Sequence, residues 1–476
     1  MRNLVGLCAL AVVAALVATP AFAAVQNVKV SGDIDVKAIS RDNFDLRKTT
    51  RFTTTNDDKL QTFLQTTRLA VAADLTDNVS AAVGLSNQRL WDQDVEATNN
   101  IDLDLAYVTL KELIYSPLTL TVGRQNLKFG TGFIVGPGFL GNSNGVFSTA
   151  GNATLTNVHG SQLREFSITN AYDAIRATLD FSPLTVDAFV SKIQELGEGG
   201  HDQDLWGLNL NWKGTPVDRW KGEWEGYVFY KNDRSATVTI HDNPGRIYEQ
   251  NRVATVGTRA AVEPIKNLWL NAEVAGQFGK LGDTVLLPGQ AAGNRTRRAM
   301  AAQGSANYTF TNVTYTPNVG AGAVYYSGQR ASVGNGNSIV TTWDQMFRGS
   351  FTTAIQDFLA GTDQAGGLYT TFDPSDTSAA TNRGLLYADF GLKPLQDLSL
   401  QGRYTHAWFA EAPVAGRGKN AGDEVDLQAK WDYTEDVQFG LIGAAFFPGH
   451  YYKTAPDATR GRNTAWEVVG DLAVKF

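Results

Sequence analysis

This 476-residue sequence predicts an all-β fold, a transmembrane antiparallel β-barrel of about eighteen strands. Three observations carry that expectation. Segments with a period of two recur from end to end, the links between them alternate long and short, and the final stretch is itself a two-faced strand. That stretch, Thr464 to Phe476, reads T-A-W-E-V-V-G-D-L-A-V-K-F. Trp466, Val468, Gly470, Leu472, Val474 and Phe476 fall on one face, and Ala465, Glu467, Val469, Asp471, Ala473 and Lys475 on the other. One apolar and one mixed face make a strand between two solvents. A soluble edge strand can carry the same pattern, but an apolar, unpaired last strand ending on an aromatic invites aggregation. Closure of a barrel in lipid removes the exposed edge.

The start of the chain reads as an export signal. Arg2 is followed by an apolar run, Leu4 to Val17, and by the small-x-small site Ala21-Phe22-Ala23, so residues 1–23 are expected to be removed and 24–476 to form the barrel. The apolar run is too short for an ordinary spanning helix. The single cysteine, Cys8, lies within it, leaving no disulfide or cysteine metal site in the mature chain. Loss of Arg2 moves the formal charge from −7 to −8. A chain this acidic lacks the basic footprint of a nucleic-acid binder.

Strands are expected at Val28–Lys37, Gln61–Ala73, Val79–Gln88, Ile101–Lys111, Leu118–Lys128 and Tyr172–Phe181. They continue at Thr185–Lys192, Leu205–Trp212, Trp224–Lys231, Arg252–Glu263, Leu268–Phe278 and Arg297–Phe310. The last are Asn318–Ser327, Gly384–Leu392, Leu398–Phe409, Glu424–Trp431, Val437–Phe447 and Thr464–Phe476. Each is close to the ~9–11 residues a tilted strand needs to cross a bilayer. Long links (Ala38–Leu60, Arg89–Asn100, Phe129–Ala171, Asn232–Asn251, Ser327–Arg383, Pro448–Asn463) alternate with short ones such as Ser116-Pro117, Ser182-Pro183 and Asp432–Asp436. Outer-membrane barrels sort their extracellular loops and periplasmic turns in this way. A sandwich or propeller has no reason to.

Side-chain parity then separates lipid from lumen. Leu398, Leu400, Tyr404 and Trp408 share one face of their strand, and Ser399, Gln401, Arg403 and Thr405 the other. A charge facing lipid at mid-depth costs about 2–4 kcal/mol, so mid-strand charges point inward. The inward basic residues are Arg68, Arg176, Arg259, Arg297, Arg403 and Lys430; the inward acids include Asp102, Asp104, Asp180, Asp389 and Asp426, with Asp33, Asp35, Glu424, Glu467 and Asp471. Arg124 shares the parity of Leu118, Leu120 and Val122, so either Gly123 carries a bulge or Arg124 lies above the membrane. These charges either pair across the lumen or form a track for an anion, which arginine's planar fork suits. At the seam, Asp33, Asp35, Glu467 and Asp471 meet with Lys29, Lys37 and Lys475 to offset them, which makes that sector acidic.

Two long links are expected to set the bore. Gly130 to Leu163 contains no Asp, Glu, Lys or Arg, which favours folding inward over a mobile surface loop. In Ser327–Arg383, Trp343, Phe347, Phe351, Ile355 and Leu359 fall at helical spacing, with Thr342 and Gln345 in capping positions and Gly361 as a stop. That spacing predicts a short amphipathic helix over the barrel mouth.

V-G-R-Q-N-L-K-F-G-T-G-F-I-V-G at Val122–Gly136, with G-L-L-Y-A-D-F-G-L-K-P and G-R-Y-T-H-A-W-F inside Gly384–Glu411, resembles the alginate-export family of outer-membrane barrels. The resemblance implies eighteen strands around an arginine-lined lumen that conducts an anionic polysaccharide, in concert with a periplasmic export apparatus. Of the inward arginines only Arg124 and Arg403 sit in the matching motifs. Two departures stand out: the lumen acids dilute a positive track, and Asp432–Asp436 is too short for the late periplasmic plug of described members.

Nothing in the sequence assembles a catalytic or metal constellation, so no enzyme activity, cofactor or metal is expected. His159, His201, His241, His406 and His450 are scattered, and the acidic stretch at Gly197–Asp204 lacks calcium-loop spacing. The partners expected are outer-membrane lipid and the barrel-assembly machinery, reached through the strand ending at Phe476. Three functions remain: a channel for an acidic polymer or oligosaccharide, a porin for small solutes, and a barrel shut by its own loops.

Overall fold

Alternating side chains need two solvents, and the chain supplies both by closing its strands into a ring. The computed structural model describes residues 27–476 except 45, 47–58, 92–100, 138–165, 167–170, 195–201, 218–219, 235–237, 240–246, 285–293, 330–338, 351, 360–380, 413–417 and 455–461. The expected signal segment lies outside the described residues. Eighteen wall strands follow in order. They begin with β1 (Asn27–Asp42), β2 (Leu60–Thr76), β3 (Val79–Leu90), β4 (Asp102–Leu110), β5 (Leu118–Gln125) and β6 (Tyr172–Asp180). Next come β7 (Leu184–Gln194), β8 (Gln203–Val217), β9 (Trp220–Asp233), β10 (Ile247–Ile265), β11 (Leu268–Thr284) and β12 (Asn294–Thr309). The last six are β13 (Asn318–Tyr326), β14 (Arg383–Leu392), β15 (Leu398–Phe409), β16 (Asn420–Asp432), β17 (Val437–Pro448) and β18 (Ala465–Lys475). Two-residue pairings at Val238–Thr239 and Ile339–Val340 flank β10 and β12.

Every wall strand runs antiparallel to its neighbours in the chain, and β18 returns to β1 in a register running from Asp33 opposite Lys475 to Asp42 opposite Trp466. The expected strand number, order and closure are those observed. Closure leaves no open edge, which a bilayer would penalise. The long–short alternation of links also holds: β16 and β17 are joined by residues 433–436 alone, whereas β13 and β14 are separated by residues 327–382. Wall height is uneven, from 8 residues in β5 to 19 in β10.

The outer face carries exposed Val83, Leu85, Leu208, Val256, Val274, Leu427, Leu441 and Val468. Aromatic rings border this band. Trp206 stacks on Tyr230 at 5.3 Å near the long-loop end, and Trp431 lies 5.6 Å from Phe439 near the turns. Such girdles mark the two membrane–water interfaces. The inner face is polar along the lower wall and apolar only where chain folds into it. One buried cluster, including Leu127, Phe129, Phe133, Val135, Phe229, Trp343 and Phe347, occupies the interior.

The amphipathic helix expected across Trp343–Leu359 is not formed. Among the described residues of that stretch only Gln356–Leu359 is α-helical, and Trp343, Phe347 and Ile355 are buried in the lumen rather than laid over its mouth, while Phe351 lies outside the described residues. The backbone there bonds elsewhere: Phe347 N–H donates to Ile134 O at 3.0 Å and Gly349 N–H to Gly132 O at 2.8 Å. Helical spacing of apolar residues was satisfied by burial on several sides at once. A second short helix, His450–Thr454 in the β17–β18 link, buries Tyr451 against Phe409 and Tyr452 against Phe446.

At the seam, Phe476 N–H donates to Gly32 O at 3.0 Å and Gly32 N–H to Phe476 O at 2.8 Å. The Phe476 ring covers Gly32 closely enough that an added Cβ would lie 2.5 Å from it and 2.7 Å from Arg68 O. Gly32→Val is expected to displace that ring at an overpacking cost of about 1–3 kcal/mol. The check is heat-modifiable gel mobility: the variant should unfold at a lower temperature than wild type, while Gly443→Val, with open space at its Cβ, should not.

Candidate functional site

The inward side chains of β8 to β12 form a hydrogen-bonded polar ladder. Arg259 on β10 is held between Glu223 and Glu225 of β9, with Glu225 at 3.0 Å, and its Nε donates to Asn271 at 2.9 Å. Tyr227 Oη donates to Glu273 at 2.7 Å and Gln303 Nε2 to the other Glu273 oxygen at 2.9 Å. Alternation places these groups on one face, and in the lumen each finds a partner rather than remaining a bare buried charge.

The first inward segment leaves β5 and crosses to this ladder. Phe133, Ile134 and Val135 are buried, so the described part of the charge-free stretch folds inward as expected, and Leu127 and Phe129 just before it are buried too; residues 138–165 lie outside the described residues. Phe129 stacks against Phe189 at 5.2 Å and meets Phe229 at a tilt at 5.3 Å. Gly130 N–H donates to Glu225 at 3.1 Å, and Gln303 donates to Thr131 at 2.7 Å. Gly130 has φ of +55° and a Cβ there would lie 2.6 Å from Glu225 Oε2, so the turn onto the carboxylate needs glycine.

The second inward segment, 339–359, lies against the first through a parallel bridge between Val135 and Phe347. Asp344 fixes its near end: the carboxylate is buried, 2.7 Å from Lys231 and 3.8 Å from Arg297, and accepts from Asn251 at 2.6 Å. Gln277 Nε2 donates to Asp344 O at 2.6 Å, and its Oε1 accepts from Asp344 N–H at 2.8 Å. Burial by itself would raise the Asp344 carboxyl; the adjoining Lys231 and Arg297 charges outweigh it and hold the group well below the ordinary carboxylate range. Asp357 fixes the far end. It accepts from Arg383 at 2.8 Å, Arg348 at 3.1 Å and the Thr352 and Thr353 amides at 2.7 and 2.9 Å. Its carboxyl is likewise held low, burial being overcome by the two guanidinium groups and the amides. Glu424 on β16 accepts from the Ile355 and Gln356 amides at 2.6 and 2.7 Å, gripping the first turn of the short helix.

The residues expected to line the pore are dispersed among these roles. Arg297 donates to Thr342 O at 2.7 Å and Arg403 to Thr352 O at 2.7 Å, so both hold the second segment. Arg403 also pairs with Asp389 through two bonds of 2.6 and 3.0 Å and stands 4.4 Å from the Tyr387 ring. Arg176 pairs with Asp187 at 2.8 Å, and Arg68 lies between Asp33 at 3.4 Å and Asp104 at 3.9 Å. Asp102 sits two residues above Asp104 on β4. Lys430 is exposed near the turn end of β16, and Asp426 faces Arg403 in register on the same strand. Asp180 accepts from Ser182 N–H at 3.0 Å and so caps a periplasmic turn.

Two expectations are corrected. Arg124 keeps the outward parity of Val122 and pairs at 3.3 Å with Asp173, which is itself exposed. The pair lies outside the lumen at the extracellular end of β5 and β6, because Gly123 introduces no shift in register despite its φ of +120°. The seam is not a bare acidic strip either. Lys37 pairs with Asp35 and, at 3.2 Å, with Asp471, while Arg41 lies 3.6 Å from Glu467 with both side chains buried. Sequence reading passed over Arg41 because the first strand was ended at Lys37, five residues short of its observed end. Asp187, Glu223, Glu225 and Glu273 were legible by the same parity that found Arg259. Asp344, on irregular chain, and Asp357, in the short helix Gln356–Leu359, carried no such signal.

Beneath the second segment a recess of about 330 Å³ opens toward the periplasmic half, lined by Asn307, Asn318, Gln401, Gln428, Asp389 and Arg403. Its amides lie around a charged group at the roof, where Arg403 is accompanied by the carboxylates of Asp389 and Asp426. The arrangement is a polar vestibule below a constriction tied to the wall by backbone–carboxylate bonds.

Known structures have the same architecture. Pseudomonas aeruginosa OccK11 (OpdR) aligns over 95% of this chain and 96% of its own with 12% identity and a TM-score of 0.51. P. aeruginosa OccK8 (OprE) aligns over 95% and 98% with 12% identity and a TM-score of 0.51. Acinetobacter baumannii OccAB2 aligns over 95% and 99% with 11% identity and a TM-score of 0.51. At these identities the likeness is one of fold. Comparison with curated protein sequences finds no match. The family described as alginate export matches residues 34–466, from Ile34 in β1 to Trp466 in β18. With the closed eighteen-strand wall, the girdles and the constricted lumen in place, this match means that the chain belongs to the alginate-export family of outer-membrane channel proteins.

Proposed function

We propose that the channel passes an acidic saccharide, as a polymer or an oligomer, with the two inward segments as its constriction. The observation that carries this reading is the vestibule: Gln401, Gln428, Asn307 and Asn318 offer donors and acceptors suited to sugar hydroxyls around Arg403. Arg403 already holds Asp389 in a two-bond grip, and a uronate carboxylate matches that geometry and can take its place. Tyr387 beneath the guanidinium supplies a flat apolar surface at the same point. Family membership supports the same substrate class.

Charge pairing supports a second reading, a weakly selective channel for small solutes. Arg68, Arg176, Arg259 and Arg403 each face a carboxylate at 3.9 Å or less, so none contributes an unscreened positive site. Planar-bilayer recording with short oligouronates added on the periplasmic side separates the two. The expected result is reversible block by the oligouronate and not by a neutral oligosaccharide of equal length, weakened about tenfold or more by Arg403→Ala, as loss of a charge-assisted pair requires. Equal passage of both saccharides without block would favour the small-solute channel and sink the acidic-saccharide reading.

A further inference from the structure

The outer face carries one group of charges that the channel does not use. Arg252 on β10 and Lys280 on β11 are directly opposite in register, and Arg298 on β12 faces Phe278, one step along from Lys280. Val253, Leu281 and Arg297 beside them in sequence are buried inward, so these three cations point away from the lumen. Like charges directly opposite on one sheet face repel. Yet the neighbours in register on this face, Asn232, Ala254, Phe278 and Thr296, include no carboxylate. Asp204, on β8 beyond Asn232, is taken by Lys192 at 3.1 Å. Arg252 Nε is buried with no hydrogen-bond partner. Three cations whose described neighbours on this face in register include no acid leave room for an anion from elsewhere.

Their height says which anion. Phe278 lies level with Tyr230, both opposite Ala254, and Tyr230 stacks on Trp206 in the girdle nearest the long loops. Arg252 and Lys280 stand one like-facing position further toward the extracellular end. Below them exposed Phe278, Met300, Val274 and Val256 form an apolar bed. Cations at headgroup level above an acyl-facing surface match a lipid that carries phosphate on its headgroup. We propose that Arg252, Lys280 and Arg298 form a binding site for the phosphate-bearing headgroup of an outer-leaflet lipid, whose chains lie over Phe278 and Met300.

The purified full-length barrel in detergent micelles tests this by native mass spectrometry or fluorescence titration, with bis-phosphorylated lipid A as probe and its dephosphorylated form as comparison. Wild type is expected to prefer the phosphorylated lipid by about tenfold or more, in keeping with three basic residues at a charged surface. Arg252→Gln/Lys280→Gln/Arg298→Gln should lose the preference, and Lys192→Gln, whose partners are protein acids, should keep it. Heat-modifiable gel mobility verifies that each variant is folded, and single Lys280→Gln and Arg298→Gln variants, at exposed positions, should each lose part of the preference. Equal affinity for both lipids in wild type, an undiminished preference in the folded triple variant, or displacement of the lipid by an equal concentration of inorganic phosphate would overturn the proposal.

Discussion

Asp357→Ala is expected to open the channel, raising single-channel conductance at least about twofold and adding rapid current noise. Removing one partner of a buried ion pair costs about 3–5 kcal/mol, because the remaining charge is left buried and uncompensated. Here two guanidinium groups, Arg348 and Arg383, would lose their shared carboxylate, and the Thr352 and Thr353 amides their acceptor. The wall does not share the loss, since its strands are hydrogen-bonded to one another around the ring. The cheapest relief is therefore for residues 341–359 to leave the lumen. Bilayer recording together with gel mobility tests both halves: an unchanged conductance in a folded variant, or loss of the folded barrel itself, would contradict this account of the constriction.

The largest change in selectivity is expected from Asp344→Ala. Lys231 and Arg297 lie 2.7 and 3.8 Å from that carboxylate, and its loss leaves the lumen wall more positive there while Arg297 keeps its bonds to Thr342 and Asn251. Reversal potentials in a salt gradient should shift toward anions relative to wild type, and the first segment should loosen with the second through the Val135–Phe347 bridge. In the intact protein, acid is a poor substitute for this mutation. The folded-state Asp344 and Asp357 carboxyls both lie below the ordinary aspartate value of about 3.9. A depressed carboxyl contributes its full stabilisation above the unfolded-state value, and that contribution is lost only as pH falls through the folded-state value. These anchors should thus hold from about pH 8 to about pH 4.5, with opening confined to stronger acid. A conductance step near neutral pH would assign the constriction to other groups.

Most of the wall was legible because parity in a barrel has one meaning throughout: Leu208 and Val468 out, Asn209 and Glu467 in. The links were legible in length for the same reason, since one end of every strand meets a short turn. The content of the constriction was not. Trp343, Phe347 and Ile355 have the spacing of one apolar stripe, and a stripe is what a helix would show a single neighbour. In the lumen the same side chains meet different walls, and their backbone amides bond to Ser327, Ile134 and Glu424 instead of to a helix. Pairing was illegible too. Parity could say that Arg403 and Asp389 both face inward, but only the register of β14 with β15 brings them opposite each other. Arg124 was marked as doubtful by its own parity, and parity was the correct guide.

The contacts that hold the inward segments have a further consequence for how the protein tolerates sequence change. Several wall side chains grip main chain rather than side chain: Glu225 the Gly130 amide, Glu424 the Ile355 and Gln356 amides, Arg297 the Thr342 carbonyl, Arg403 the Thr352 carbonyl. Every residue type except proline offers the same amide, and every type offers the same carbonyl. The main-chain tethers at Thr342, Thr352, Ile355 and Gln356 therefore survive a change of side chain, and part-exposed Thr352 can be exchanged to reline the pore without rebuilding it. The burden of invariance falls on the opposite partner, the wall carboxylates and guanidinium groups that do the holding.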